Sequence, residues 1–198
     1  MQMTSTLISS NPQDLNPSSL GTLDIHRCQD LINLFNCTFA NHYNTVLIKG
    51  DHEPIYIPAA STEQSHQVVF AHGYFASALH EIAHWCIAGE KRRLLEDYGY
   101  WYCPDGRDSE QQARFEQVEI KPQAIEWAFS LAANKCFKVS TDNLNGAEVD
   151  HIGFQLKVSQ QAKFYLENGF PVRAAQFIQV LQSFYKTKKL SEEMFDEL

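Results

Sequence analysis

The run His80-Glu81-Ile82-Ala83-His84 restricts this chain more than any other stretch, because its residue types make sense together only on a helix. Four residues advance a helix by about 400°, which leaves His80 and His84 one turn apart with both imidazoles projecting from one face. Two neutral ring nitrogens at that separation can grip one divalent ion. Glu81, beside them, can bond a water on that ion and take its proton. The neighbours suit a buried helix within Gly73 to Gly89: Phe75, Ala78, Leu79, Ile82, Trp85, Cys86 and Ile87 offer apolar contacts, and Gly89 fits a position past the C-terminus. Five-residue patterns of this kind also arise by chance, as two polar residues at a core edge. The helical context is what favours the metal reading here.

A chain of 198 residues is long enough for one domain with a substantial core, and 44% hydrophobic with 12% aromatic residues marks it as globular. A net charge of −8 with no compensating basic run argues against nucleic acid as a direct partner and favours a cationic substrate. Cys28, Cys37, Cys86, Cys103 and Cys136 form an odd set with no pair at zinc-knuckle or redox spacing, as expected of reduced thiols in a cytosolic protein. Neither a signal peptide nor an apolar run of membrane-spanning length is present. No membrane association is expected, and a cytoplasmic location is the default.

The fold class expected is α+β: a helix-rich single domain with a small β-sheet next to the metal-binding helix. Residues 1–21, with Pro12, Pro17 and many Ser and Asn, read as a loosely ordered arm; 22–186 form the catalytic domain; 187–198 form a C-terminal tail or frayed helix. A first helix is expected from Leu23 to about Asn41. Three β-rich runs follow, Thr45 to Lys49, Pro54 to Pro58 and Gln67 to Ala71, with Gly50-Asp51 suited to a turn between the first two. Beyond the metal helix, Phe115 opens another helix with Pro122 in its first turn. A β-like run, Phe137 to Ser140, leads to helices over Val149 to Leu166 and Val172 to Tyr185, parted by Asn168-Gly169-Phe170-Pro171.

A metal held by two histidines of one helix takes its third protein ligand from a carboxylate on a following helix in many sites, with a position left open. Glu119 is the first choice, and Glu116 and Glu126 are the reserves; Glu119 and Glu126 are seven apart and share a helical face. The aromatic loop Tyr98-Gly99-Tyr100-Trp101-Tyr102-Cys103-Pro104-Asp105-Gly106-Arg107-Asp108 breaks all periodicity and is expected to line the pocket, with Tyr100 facing substrate, although Tyr100 and Trp101 could equally plug the core. His151 stands alone near a helix start. With zinc, such a site is that of a peptidase or amidase, with Glu81 as base; with ferrous iron, that of a hydroxylase using dioxygen. A metal stapling a binding module is the third reading. Spacing does not choose among them.

The run His80 to Gly89, the loop Tyr98 to Asp108, the segment Phe115-Glu116-Gln117-Val118-Glu119-Ile120-Lys121-Pro122-Gln123-Ala124 and Asp142-Asn143-Leu144 together resemble the elongation factor P hydroxylase family, over about Leu23 to Tyr185. The Glu119-x-x-x-Gln123-Ala124 spacing also looks like the second-helix pattern of zincin-type metalloproteins. The resemblance implies hydroxylation of a lysine of translation elongation factor P after that lysine has received a β-lysyl group. It implies a metal, expected to be Fe(II) with zinc as the alternative, at His80, His84 and Glu119, with dioxygen as co-substrate. Glu81 would relay protons, and Glu116 or Asp105 would hold the substrate's ammonium groups. The His-x-Asp spacing common among 2-oxoglutarate oxygenases is missing.

Overall fold

The computed structural model describes residues 25–97 and 105–196, apart from 142, 144, 147 and 148. The expected arm over 1–21 therefore lies outside the described residues. Helix α1 spans Cys28–Tyr43, and Leu31, Phe35 and Phe39, four residues apart, form its fully buried stripe. It begins at Cys28 rather than near Leu23. Asn44, in a left-handed conformation, ends it and turns the chain into strand β1, Thr45–Lys49.

Strands β2, Ile55–Ile57, and β3, His66–Phe70, complete a sheet of order β1-β3-β2. β1 runs parallel to β3, Thr45 opposite His66, and β2 runs antiparallel to it, Ile55 opposite Val69. The expectation that Gly50-Asp51 would join two neighbouring strands is thus corrected: β1 and β2 flank β3 on opposite sides. β3 takes the centre, where Val68 and Phe70 are buried. Both outer edges are occupied, since Asn36 Oδ1 accepts the Leu47 N–H at 2.7 Å and Tyr56 exchanges backbone bonds with Asp97 at 2.8 and 3.1 Å.

His72 and Gly73, both at positive φ, reverse the chain from β3 into α2, Phe75–Ile87. At Gly73 the left-handed φ of 71° favours glycine, and the tip of the Lys49 side chain rests 2.6 Å from where a Cβ would stand. Helix α3 spans Ser109–Ala132 and starts with a capping box in which Asp108 and Gln111 satisfy each other's backbone N–H. Pro122 therefore stands in the helix interior, not in its first turn. α3 packs against α2, α4 (His151–Asn168) and α5 (Val172–Tyr185), so it is central and buried for much of its length. Phe177 of α5 meets Phe35, Phe39 and Phe129 at ring-centroid distances of 6.0, 5.8 and 5.3 Å, joining α1, α3 and α5 in one aromatic core.

Phe137 to Ser140 runs without forming a strand. Its backbone partner is a side chain: the Gln123 amide donates to Ser140 O at 2.7 Å and accepts from Ser140 N–H at 3.0 Å, satisfying groups that a ladder would otherwise take. The C-terminal segment, expected as a tail, packs instead. A 3-10 turn over Glu192–Phe195 buries Phe195 against Trp127, and Ser159 donates its hydroxyl to Phe195 O at 2.6 Å. Among the described residues no helix is long and apolar enough to cross a membrane.

Candidate metal centre

Helices α2 and α3 lie side by side, and their facing turns carry the site. One turn of α2 brings His80 Nε2 and His84 Nε2 to 3.0 Å from each other. The Glu119 carboxylate of α3 closes the third side, with Oε2 3.4 Å from His80 Nε2 and Oε1 3.2 Å from His84 Nε2. The three ligand atoms lie within 4.8 Å of one another. Donor nitrogens about 2.0–2.1 Å from a shared ion stand about 3 Å apart when mutually cis, so the observed separation fits bidentate capture by the two imidazoles. A buried carboxylate against two imidazole nitrogens is also the donor set of both catalytic zinc and non-haem iron sites.

Glu126 stands two turns beyond Glu119 on the same face of α3 and does a different job. Its Oε2 accepts the His80 Nδ1–H at 2.8 Å, which fixes the tautomer and leaves Nε2 as the lone-pair side facing Glu119 and His84. Gln123, between the two glutamates, donates to Glu119 Oε2 at 3.4 Å while it holds Ser140. Burial opposes a charge on His80, but Glu119 and Glu126 outweigh it and hold its pKa up at about 10. Burial likewise acts to raise Glu119, and His84 and His80 overcome it and hold the carboxyl down at about 2. A proton on His80 is therefore the competitor that an ion entering the site would have to displace.

The triad forms part of the wall of an open cavity of about 730 Å³, a size in the range of small-molecule sites. Glu81 faces it, and burial pushes its carboxyl up, against the pull of His80 and His84. Arg107 lines the cavity although it is buried: its guanidinium lies 3.9 Å from the Phe115 ring centroid, Nε donates to Gln112 Oε1 at 2.9 Å, and an Nη donates to Thr141 O at 2.7 Å. It ties the start of α3 to the segment that walls the cavity. Tyr56 lines another side and donates its hydroxyl to Arg93 O at 3.0 Å.

The candidates from sequence fall in different places. His80, His84, Glu119 and Glu81 come together. Glu126 supports His80, and Glu116 lies away from the cavity, facing Lys157 at 3.8 Å and Gln112. Asp105 lines the cavity, but its carboxylate accepts from Gly106 N–H, Asn145 N–H and the Asn145 amide and so braces its own loop. Tyr100 lies outside the described residues. His151 opens α4 on the cavity wall, with Nδ1 3.4 Å from Thr141 Oγ1. Arg107 belongs to the loop expected to line the pocket, although no separate role was expected of it, and Tyr56 on β2 was not expected at the cavity.

A family model described as elongation factor P hydroxylase matches residues 34–195. The elongation factor P lysine hydroxylase of Haemophilus influenzae is 49% identical over 163 residues, which cover 82% of this chain and 92% of that one.

Proposed function

The chain belongs to the elongation factor P hydroxylase family, and from that membership we infer that it hydroxylates a lysine of elongation factor P, at the stage when that lysine already carries a β-lysyl group. One oxygen atom of dioxygen enters a C–H bond of the side chain and the other leaves as water, with two electrons and two protons taken from a reductant. The partner is a translation factor, so the reaction belongs in the cytoplasm. The observation that carries the site is the meeting of His80 Nε2, His84 Nε2 and the Glu119 carboxylate on the wall of an open cavity.

His80, His84 and Glu119 would hold ferrous iron, which would supply dioxygen activation, whereas zinc would bring no redox chemistry to a hydroxylation. The protein's own groups do the rest. Glu126 keeps the His80 ring turned toward the site. Glu81, whose carboxyl burial pushes up, stands on the cavity wall as the group that would exchange a proton there. The cavity, of about 730 Å³, has the volume for a lysine extended by a second lysyl unit.

The test is to purify the protein anaerobically, load it with ferrous iron, supply dioxygen and reductant, and weigh lysylated elongation factor P before and after. A gain of one oxygen atom is expected, and none with His80→Ala or His84→Ala. Cleavage of the factor by the zinc-loaded protein would instead establish a hydrolase that uses Glu81 as its base.

A further inference from the structure

One stretch of the cavity wall, Phe137 to Thr141, has no neighbouring strand among the described residues and is held by side chains of α3 and of Arg107 just before it. It runs back along that helix. Phe137 stacks on Trp127 with ring centroids 5.1 Å apart, Ser140 meets Gln123, and Thr141 O accepts from Arg107 at 2.7 Å. Val139, Ser140 and Thr141 line the cavity. Glu119 lies one helical turn from Gln123 on α3, so a single side chain joins this wall to the candidate metal ligand.

Gln123 is 1% exposed and Glu119 3%, so their polar atoms have to find partners inside the protein. A carboxamide presents its carbonyl and one N–H along one edge, and its second N–H points off that edge. Ser140 takes the edge: its N–H donates to Gln123 Oε1 at 3.0 Å and its carbonyl accepts from Nε2 at 2.7 Å. The same Nε2 lies 3.4 Å from Glu119 Oε2. Turned over, the amide would set Oε1 against two acceptors, Ser140 O and Glu119, so the network fixes its direction. The other contacts of the Glu119 carboxylate, at 3.4 and 3.2 Å, go to His80 Nε2 and His84 Nε2, the atoms that an ion would engage. With those engaged, Gln123 is the group that still holds the carboxylate. We propose that Gln123 is a positioning residue of the metal centre: from a clamp anchored on Ser140 it aims Glu119 at the two imidazoles, so that metal occupancy and the order of the wall are linked. The proposal rests on the metal-site reading above and not on the reaction run there. Such linkage is reciprocal, since whatever factor the clamped wall adds to metal affinity, bound metal adds to the order of the wall.

The test uses the full chain with zinc as the probe, so that no turnover is needed. In competition with a chromophoric chelator, Gln123→Met, which keeps the bulk and drops the polar atoms, should bind zinc about tenfold to a hundredfold more weakly than wild type, the range for outer-shell partners of a metal ligand. In hydrogen exchange, the Ser140 amide of the wild-type chain should exchange about tenfold more slowly with zinc bound than without it. That slowing should vanish in Gln123→Met saturated with zinc. A merely structural Gln123 would give faster exchange along the wall of the variant with wild-type zinc affinity, and that result overturns the proposal. So does a wild-type Ser140 amide that exchanges alike with and without zinc, a comparison that decides the matter even where the variant does not fold. Failure of the metal-site reading shows separately, as a wild-type chain that takes up neither zinc nor ferrous iron, and it overturns the proposal with it.

Discussion

Replacing Glu126 separates a residue that holds a ligand from a residue that is one. Glu126→Gln keeps the volume and still offers Oε1 to the His80 Nδ1–H, now 2.8 Å from the carboxylate, but removes the charge. A hydrogen bond to a charged group contributes about 1.5–3 kcal/mol and a neutral one about 0.5–1.5, so the change costs about 1–1.5 kcal/mol. That is about a tenfold loss of metal affinity. Glu126→Ala also leaves the Nδ1–H without its acceptor and frees the ring to turn, which takes the loss to about a hundredfold, the upper end for outer-shell partners of a metal histidine. Competition against a chromophoric chelator, run anaerobically with ferrous iron and repeated with zinc, measures both. Affinities within twofold of wild type for both variants would refute the orienting role. Equally damaging would be an alanine variant that loses the ion as completely as Glu119→Ala, because Glu126 would then be a ligand itself.

Three further outcomes follow from the same geometry. Glu119 and Glu126 depend on α3 starting at Asp108, so Asp108→Ala should lower unfolding free energy by about 1 kcal/mol in urea titration, with metal affinity nearly kept. Arg173 of α5 donates to Trp85 O, Cys86 O and Ala88 O at 2.8, 3.0 and 2.6 Å and lies 4.7 Å from the Trp85 ring, clamping the C-terminal end of the metal helix; Arg173→Leu should cost about 2–3 kcal/mol by the same titration. The apoprotein should depend on pH through two groups. His80, raised from 6.5 to about 10, stabilises it fully below pH 6.5 and loses that contribution as pH rises through about 10; Glu119, lowered from 4.5 to about 2, contributes above pH 4.5 and loses it as pH falls through about 2. Comparing urea midpoints of wild type with His80→Asn between pH 6 and 10.5 checks the first, and the difference should shrink as pH rises. Metal affinity should rise over the same interval, because the ion displaces the His80 proton.

The metal helix was legible because one periodic pattern set both its face and its burial: His80 and His84 on one side, Leu79, Ile82 and Cys86 in the core. Glu119 was legible for a related reason, since a two-turn spacing puts Glu119 and Glu126 on one face. Which of the two meets both Nε2 atoms and which accepts from His80 Nδ1 is decided by the lateral placement of α3 against α2, and no local pattern carries that. The sheet order was hidden likewise. Gly50-Asp51 has the chemistry of a tight turn, yet pairing β1 with β3 depends on contacts more than twenty residues away in sequence. Pro122 misled because proline is favoured at helix starts; a helix held by a capping box at Asp108 and buried among α2, α4 and α5 tolerates it inside. The last residues read as frayed from their mixed charge, while one side chain, Phe195, was enough to fold them onto Trp127.

The source of the added oxygen distinguishes a hydroxylase from a hydrolase most directly. Ferrous-loaded protein, reductant and lysylated elongation factor P under heavy-isotope dioxygen should yield a factor heavier by one atom of the heavy isotope, with no label incorporated when only the water is heavy. An unmodified factor, label drawn from water, or full activity retained after His84→Ala and Glu119→Ala would contradict the hydroxylase reading.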